Sequence, residues 1–503
     1  MELLTDQGSR PREPKMLDQI RKLVKHSVVY GLGLMGYSIT IMVLTPMFLH
    51  RLNRAEYGMM DVLNVFTSML YNVLLLGVAS VLIKIYINDC KDERERKLLI
   101  GSMVVFTGIM AGLITSFAYI FAKPLAVLLF KDERYALLVV LAAGGSGMLL
   151  VQQMTMLCLR AKQWPAKFAA VSLSQLAVII ALNFYLVWSR NLGVLGVQLA
   201  AISAYAVSVI VGLFLIRADL LVQFSRGWVK RVLILSIPLV PASLAPWVLN
   251  MSNRYFLNYF WGLDTTGLYA VGYKVGMLGI VILVNAFQLA WSPLFFANSD
   301  DKDTPRLCAN VLKHYVVVLV VGGLTLSVFA PEILRVIARR EYWAAASLVP
   351  YVALAYVFYG AQFYAVPMFI RMNRGKWLSV IMCSVAVTNV TLNLILIPRY
   401  GIPGAIAATM ATFSVLAVLT LGMANRIYPV PYQYMNFVKT LVSAAAVYLV
   451  FRHVAVTSAP TFILKSAALP IFGLLLLAAR FFSRREMELM QSIPGRVARR
   501  FRP

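Results

Sequence analysis

The sequence predicts an all-α polytopic membrane protein of about fourteen transmembrane helices. They form two six-helix lobes, related by a pseudo-two-fold axis along the membrane normal, plus two C-terminal helices. Three observations lead there. The chain of 503 residues is 60% hydrophobic with a mean hydropathy of +0.76, which a soluble domain would not tolerate. Apolar stretches of about 20 residues, enough to cross about 30 Å of hydrocarbon, recur from residue 27 to residue 482. Motifs in the first half return in the second.

The spans fall at 27–49, 59–83, 98–122, 135–159, 165–188, 193–216, 232–257, 266–291, 309–331, 345–370, 377–398, 401–424, 437–456 and 461–482. The first is too long for a signal-peptide core and lacks a small-residue cleavage site, so it is expected to stay as an anchor. The seventh contains Pro238, Pro241 and Pro246. Proline removes helix hydrogen bonds, and in lipid the freed groups need protein or water partners. That helix should therefore line a cavity, its bend being either a hinge or a packing kink. Lys439 and Arg452 bracket a short thirteenth span. The segments are thus a basic N-terminus 1–26, an N-lobe 27–216, a linker 217–231, a C-lobe 232–424, the last two spans within 425–482 and a basic tail 483–503.

Charge sets the expected orientation. With the N-terminus inside, cytoplasmic tails and loops hold about 33 of the 47 Lys and Arg, against about 11 outside. Both termini are then cytoplasmic, in the inner membrane. The basic ends, including Arg10, Arg12, Lys15, Arg484, Arg485 and Arg496, would meet anionic phospholipids. The net charge of +26 reflects this topology, and no nucleic-acid partner is expected. Cys90, Cys158, Cys308 and Cys383 fall on or near the reducing side, so no disulfide is expected.

The repeat rests on three pairings. Arg190-Asn191-Leu192-Gly193 opens the sixth span and Arg399-Tyr400-Gly401 the twelfth, with Asn183 and Asn393 upstream. Arg160-Ala161-Lys162 pairs with Arg371-Met372-Asn373, and Leu52-Asn53-Arg54-Ala55-Glu56-Tyr57-Gly58 with Leu263-Asp264-Thr265-Thr266-Gly267-Leu268-Tyr269. The offsets are 208, 211 and 211 residues. Six spans separate each pair, so the copies run parallel, an arrangement that builds two lobes around a midplane cavity.

Several apparent motifs fail on context. Gly31-Leu32-Gly33-Leu34-Met35-Gly36 matches a dinucleotide fingerprint but has no preceding strand. Asp301 and Asp303 sit in a cytoplasmic loop, where a transferase carboxylate pair is not expected. Four histidines and no Walker motif point to no metal, no cofactor and no catalytic residues. The chain is read as a non-enzyme.

The segment Pro46 to Gly58 resembles the first loop of bacterial oligosaccharide flippases. Asn253-Arg254-Tyr255, Thr266 through Lys274, Ala290-Trp291-Ser292-Pro293 and the Gly401/Gly404 segment resemble the same family. These proteins belong to the multidrug/oligosaccharidyl-lipid/polysaccharide exporter superfamily. The resemblance implies a Wzx-like flippase that carries a polyprenyl-diphosphate-linked oligosaccharide to the outer leaflet, for O-antigen or exopolysaccharide, alongside polysaccharide assembly proteins. Similar proteins often carry Asp where this chain has Asn253.

Ionisable groups at bilayer depth are expensive and are usually kept for function. Asp61 is read as the only acidic residue within a span, whereas Arg254, Lys274 and Lys465 are basic. A cationic interior suits an anionic headgroup. Arg254 supplies a planar fork and Lys274 a point charge for a diphosphate; alternatively Arg254 snorkels to the outer interface. Asn250, Asn253, Tyr255 and Tyr273 would line the same path, or serve as inter-helix hydrogen bonds. Asp61 is a candidate outer gate or an interfacial carboxylate. Lys84, Arg160 and Lys313 are candidates for a cytoplasmic entry, or topology anchors. The alternatives are a multidrug cation exporter, which would need buried carboxylates, a glycosyltransferase or polymerase, which would need outward acidic pairs, and a scaffold, which would need no intramembrane cations.

Overall fold

The computed structural model describes residues 40–75, 77–221, 223–298, 301, 303–454, 459–482 and 486–487. The basic segment 1–26, the start of the first span and the arginines of the tail lie outside these residues. Twelve helical segments among the described residues are long and apolar enough to cross a membrane, so the chain is a multi-pass membrane protein. The longest, Arg226–Ala297, includes Gly262 at φ 82°, ψ 176°, which divides it in two. Each expected span from the second to the fourteenth therefore has a helical counterpart. The first is helical over 40–51.

Chain contacts divide the molecule into two compact units, Met1–Leu244 and Ala245–Pro503. In the first, helix α1 (40–51) leads into α2 (Arg54–Leu75), α3 (Val78–Asn88), α4 (Glu93–Ile120), α5 (Ala122–Phe130), α6 (Ala136–Ala161), α7 (Pro165–Asn183), α8 (Gly193–Ile216) and α9 (Arg226–Ser236). Helix α6 packs against α2, α4 and α8 because Ala142, Ala143, Gly144, Gly145, Ser146 and Gly147 are all buried. Small residues let backbones approach where apolar burial gives no driving force. Leu82, Leu99, Met154, Phe168 and Val232 form an apolar base.

That base also holds the segment after α8. Asp219 forms an ion pair with Lys162. The Ser102 hydroxyl donates to the Gln223 carbonyl (3.3 Å) and accepts from the Ser225 amide (2.9 Å). A Cβ at Gly101 would lie 2.0 Å from the Leu221 carbonyl oxygen, so only glycine admits this close approach.

The second unit contains most of α10 (Val240–Ala297), then α11 (Thr304–Ile337), α12 (Val349–Arg371), α13 (Gly375–Tyr400), α14 (Ile402–Ile427), α15 (Tyr434–Phe451), α16 (Ala459–Ser466) and α17 (Ala468–Ala478). Helix α12 is central, packing on α11 and α14. Helix α11 runs past the expected end at 331 and carries Glu332 within it. Asp61 is therefore not the only carboxylate within a spanning helix.

The repeat motifs become local structures. The α6–α7 and α12–α13 turns are both Schellman caps: Trp164 N–H bonds the Leu159 carbonyl (3.0 Å) and Arg374 N–H the Phe369 carbonyl (2.8 Å), with Gln163 and Asn373 at φ 55° and 53°. This register is 210 residues, as for Asn183 and Asn393, rather than the 211 of the Arg160–Arg371 pairing. Two residues then disappear before Gly193 and Gly401, because the first copy inserts a π-helical stretch, Phe184–Ser189. The first-loop motif is a capping box: Asn53 N–H donates to Glu56 Oε2 and Glu56 N–H to Asn53 Oδ1, each 2.9 Å. Gly193 at φ 54° closes against Glu56, while Gly401 at φ 59° closes against Trp261.

Close approach gives the first prediction. Gly404 matches Gly101, since its Cβ would lie 2.3 Å from the Leu396 carbonyl oxygen. Gly101→Ala and Gly404→Ala should each lower stability by about 1–3 kcal/mol through overpacking. Gly108→Ala, where no atom lies within 4 Å, should leave it unchanged or raise it by up to about 1 kcal/mol. Thermal unfolding in detergent reads the difference.

Candidate functional site

Two polar knots form around the first part of α10. Pro246 has no N–H to give its helix, and the Asn250 side chain bends back one turn to donate to the Pro246 carbonyl at 2.7 Å. The Asn250 carbonyl accepts from Arg254 Nη1. Arg254 is 5% exposed, and its guanidinium carbon lies 4.5 Å from the centre of the Tyr273 ring, within cation–π range. Tyr273 and Tyr356 share a hydroxyl hydrogen bond of 3.0 Å, and Tyr356 donates to Asn250 Oδ1 at 2.7 Å. Both rings are buried. The first knot therefore joins the two parts of α10 to α12 and holds a permanent cation, since arginine does not deprotonate in proteins.

The neighbouring residue, Asn253, points to α13 and α14. Its amide donates to Thr409 Oγ1 (2.7 Å) and the Tyr269 hydroxyl (3.0 Å), and its oxygen accepts from Asn393 (2.7 Å). Asn393 also donates to Asn389 Oδ1 (3.0 Å). Ser252 donates to the same oxygen (3.1 Å), and the Asn389 amide donates to Thr412 (3.1 Å). All of these side chains are buried. Buried amides cost free energy unless hydrogen-bonded, and here they bond one another across three helices.

Asn250, Arg254 and Tyr273 thus meet directly. Asn253 belongs to the adjoining amide knot. Lys274 is half-buried, one position past Tyr273. Tyr255 is half-buried and stacks on Tyr259, ring centres 6.4 Å apart. Asp61 is buried in α2 of the first unit at 7% exposure, where α2 packs on α6 and α8. Lys84 and Arg160 are exposed in the same unit, with Arg160 over the Phe168 ring at 5.1 Å. Lys313 is 3% exposed and bonds Glu486 at 2.8 and 3.0 Å, so an ion pair already occupies this residue. Lys465 is likewise paired, with Glu332.

Sequence reasoning missed Tyr356, Asn389, Thr409 and Thr412. For Asn389 a signal existed: it lies four residues before Asn393, on the same helical face. Tyr356 carries no such mark among the aromatic residues of α12. Among the described residues no group of three His, Cys, Asp or Glu side chains is placed to hold a metal ion.

Residues 21–299 match the model of a family described as polysaccharide biosynthesis protein. No curated protein matches the sequence. In fold, the chain is similar to the lipid II flippase MurJ in an inward closed conformation, with a TM-score of 0.69 at 13% identity over 90% of this chain and 98% of that one. It is also similar to a multidrug resistance MATE family transporter facing inward, with a TM-score of 0.61 at 14% identity over 80% and 94%. A MOP superfamily transporter from Pyrococcus furiosus, described as having a binding pocket of reversed polarity, gives 0.56 at 14% over 81% and 95%. At these identities the likeness establishes the fold.

The amide knot is testable by a double-mutant cycle. Asn253→Leu and Thr409→Val should each destabilise the protein, and their coupling energy should be about 0.5–2 kcal/mol. Additive effects in thermal unfolding would mean that the two side chains are energetically independent.

Proposed function

Since this chain belongs to the polysaccharide biosynthesis protein family, we propose that it is an inner-membrane flippase, and not an enzyme, that moves a polyprenyl-diphosphate-linked oligosaccharide from the cytoplasmic to the outer leaflet by alternating access through a cationic cavity. One observation carries the reading: the buried Arg254, held on Tyr273 and Asn250 in the part of α10 that contains Pro246. A guanidinium offers five N–H donors in a fork that matches phosphate. A diphosphate leaving water needs donors of that kind.

The other residues take roles around that cation. Lys274 supplies a second, mobile charge, while Asn250 and Tyr273 orient Arg254. Asn253 positions the helix from its other face, and Tyr255 offers an aromatic surface to sugar rings. Lys84 and Arg160 draw the headgroup to the cytoplasmic end, and Asp61 acts as an outer gate. With both termini cytoplasmic, the basic tails rest on anionic phospholipids, and polysaccharide assembly proteins receive the product.

The second reading, a multidrug cation exporter, has the MATE-like fold in its favour and the buried Asp61 as its carboxylate. The two differ in the sign of the transported charge. A charge crossing 100 mV changes free energy by about 2.3 kcal/mol, so an inside-negative potential drives an anionic headgroup outward and holds a cation back.

In proteoliposomes carrying the lipid-linked glycan, a potassium potential set with valinomycin, negative inside, should accelerate outward flipping, and the opposite sign should slow it. Arg254→Ala should reduce the rate by about 10–100-fold, matching a charged hydrogen bond of about 1.5–3 kcal/mol, while Arg254→Lys recovers only part because the fork is lost. Export of cationic dyes with an unchanged rate in Arg254→Ala would favour the exporter.

A further inference from the structure

The C-terminal helices reach the rest of the second unit principally through one neighbour. Helix α15 packs on α11 and α17, and α17 on α11, α15 and α16. Their apolar fit is incomplete, because a cleft of about 410 Å3 opens between α11, α12 and α15, lined by Leu324, Leu354, Val357, Leu441 and Tyr448 among others. In a bilayer such faces have little orientation preference, since lipid chains solvate them as well as protein does.

Charge supplies what the apolar surface lacks. Near its end, α11 presents Glu332, which accepts from Lys465 of α16 at 2.7 and 2.8 Å. The lysine side chain is 1% exposed. Near its start, α11 presents Lys313, which donates to Glu486 beyond α17 at 2.8 and 3.0 Å and lies 4.7 Å from the Phe481 ring. The two pairs have opposite polarity: α11 provides the acid at one end and the base at the other. Glu332 lies nineteen positions after Lys313. At 1.5 Å per residue that is about 28 Å, close to the thickness of the hydrocarbon layer.

We infer that these ion pairs are a latch fastening the C-terminal helices to α11 in a single orientation. A reversed or displaced docking would set like charges together or leave a charge buried without its partner. Breaking one member of a buried pair is strongly unfavourable, whereas exchanging both keeps the attraction. The latch makes the C-terminal helices part of the second unit's rigid body, and it places no demand on which substrate is carried.

The test uses the full chain, tagged at its N-terminus, with a protease site introduced after the exposed Pro431. After cleavage in detergent, the C-terminal fragment should co-purify with the tagged body. Glu332→Lys alone and Lys465→Glu alone should each reduce retention at least 5-fold, and the double exchange should restore it. Lys313→Glu and Glu486→Lys should follow the same pattern. Where a single reversal prevents insertion, Glu332→Gln replaces it, removing charge while keeping shape, and should still release the fragment. Wild-type retention in the single variants, or a double exchange no better than the singles, would overturn the latch. Flipping is not measured, so the outcome stands apart from that of the proposed function.

Discussion

Inside the apolar layer a polar group has no water to turn to, and every donor, acceptor and charge must find its partner within the protein. The rest of this structure follows from that constraint. It makes the chain helical from end to end of its described spans. It also accounts for the polar side chains that gather where α10, α13 and α14 meet. Ser252, Asn253, Asn389, Asn393, Thr409 and Thr412 bond one another across α10, α13 and α14. Within this network the Asn393 Oδ1 is the buried acceptor left without a hydrogen-bond donor.

Helix α10 shows how the constraint acts around a buried charge. Pro246 interrupts its ladder and Gly262 its direction. The Asn250 side chain donates to the Pro246 carbonyl and accepts from the Tyr356 hydroxyl. The same turn offers its carbonyl to Arg254. One asparagine thereby joins its own helix turn, the tyrosine pair and the buried cation. Adjacent positions on the helix then serve different neighbours, Arg254 facing tyrosines and Asn253 facing amides.

Short motifs that carry the internal repeat prove to be helix-terminus chemistry. Glu56 is one half of a capping box with Asn53. Gln163 and Asn373 take the left-handed conformation that ends a helix, and Gly193 and Gly401 open the next helix at positive φ. Such positions sit outside the hydrophobic stretch, where local hydrogen bonding decides the residue type. They therefore stand out in a sequence whose spans are otherwise interchangeable mixtures of Leu, Val and Ala.

By itself the sequence determined the class of the protein, the places where helices run, the recurrence of short motifs between its halves and the presence of Arg254 in an apolar helix. Those follow from hydropathy, periodicity and charge, which are properties of short stretches of chain. Only the tertiary structure decided which polar residues meet. It brought Tyr356 to Asn250, bound Asn253 to Asn393 and Thr409, and gave Lys313 and Lys465 the carboxylates Glu486 and Glu332. It also set the register of the α6–α7 and α12–α13 turns at 210 where residue identity suggested 211. Partners of this kind lie up to 173 positions apart in the chain. Their meeting depends on how helices pack across one another, and hydropathy along a single helix carries no record of its neighbours.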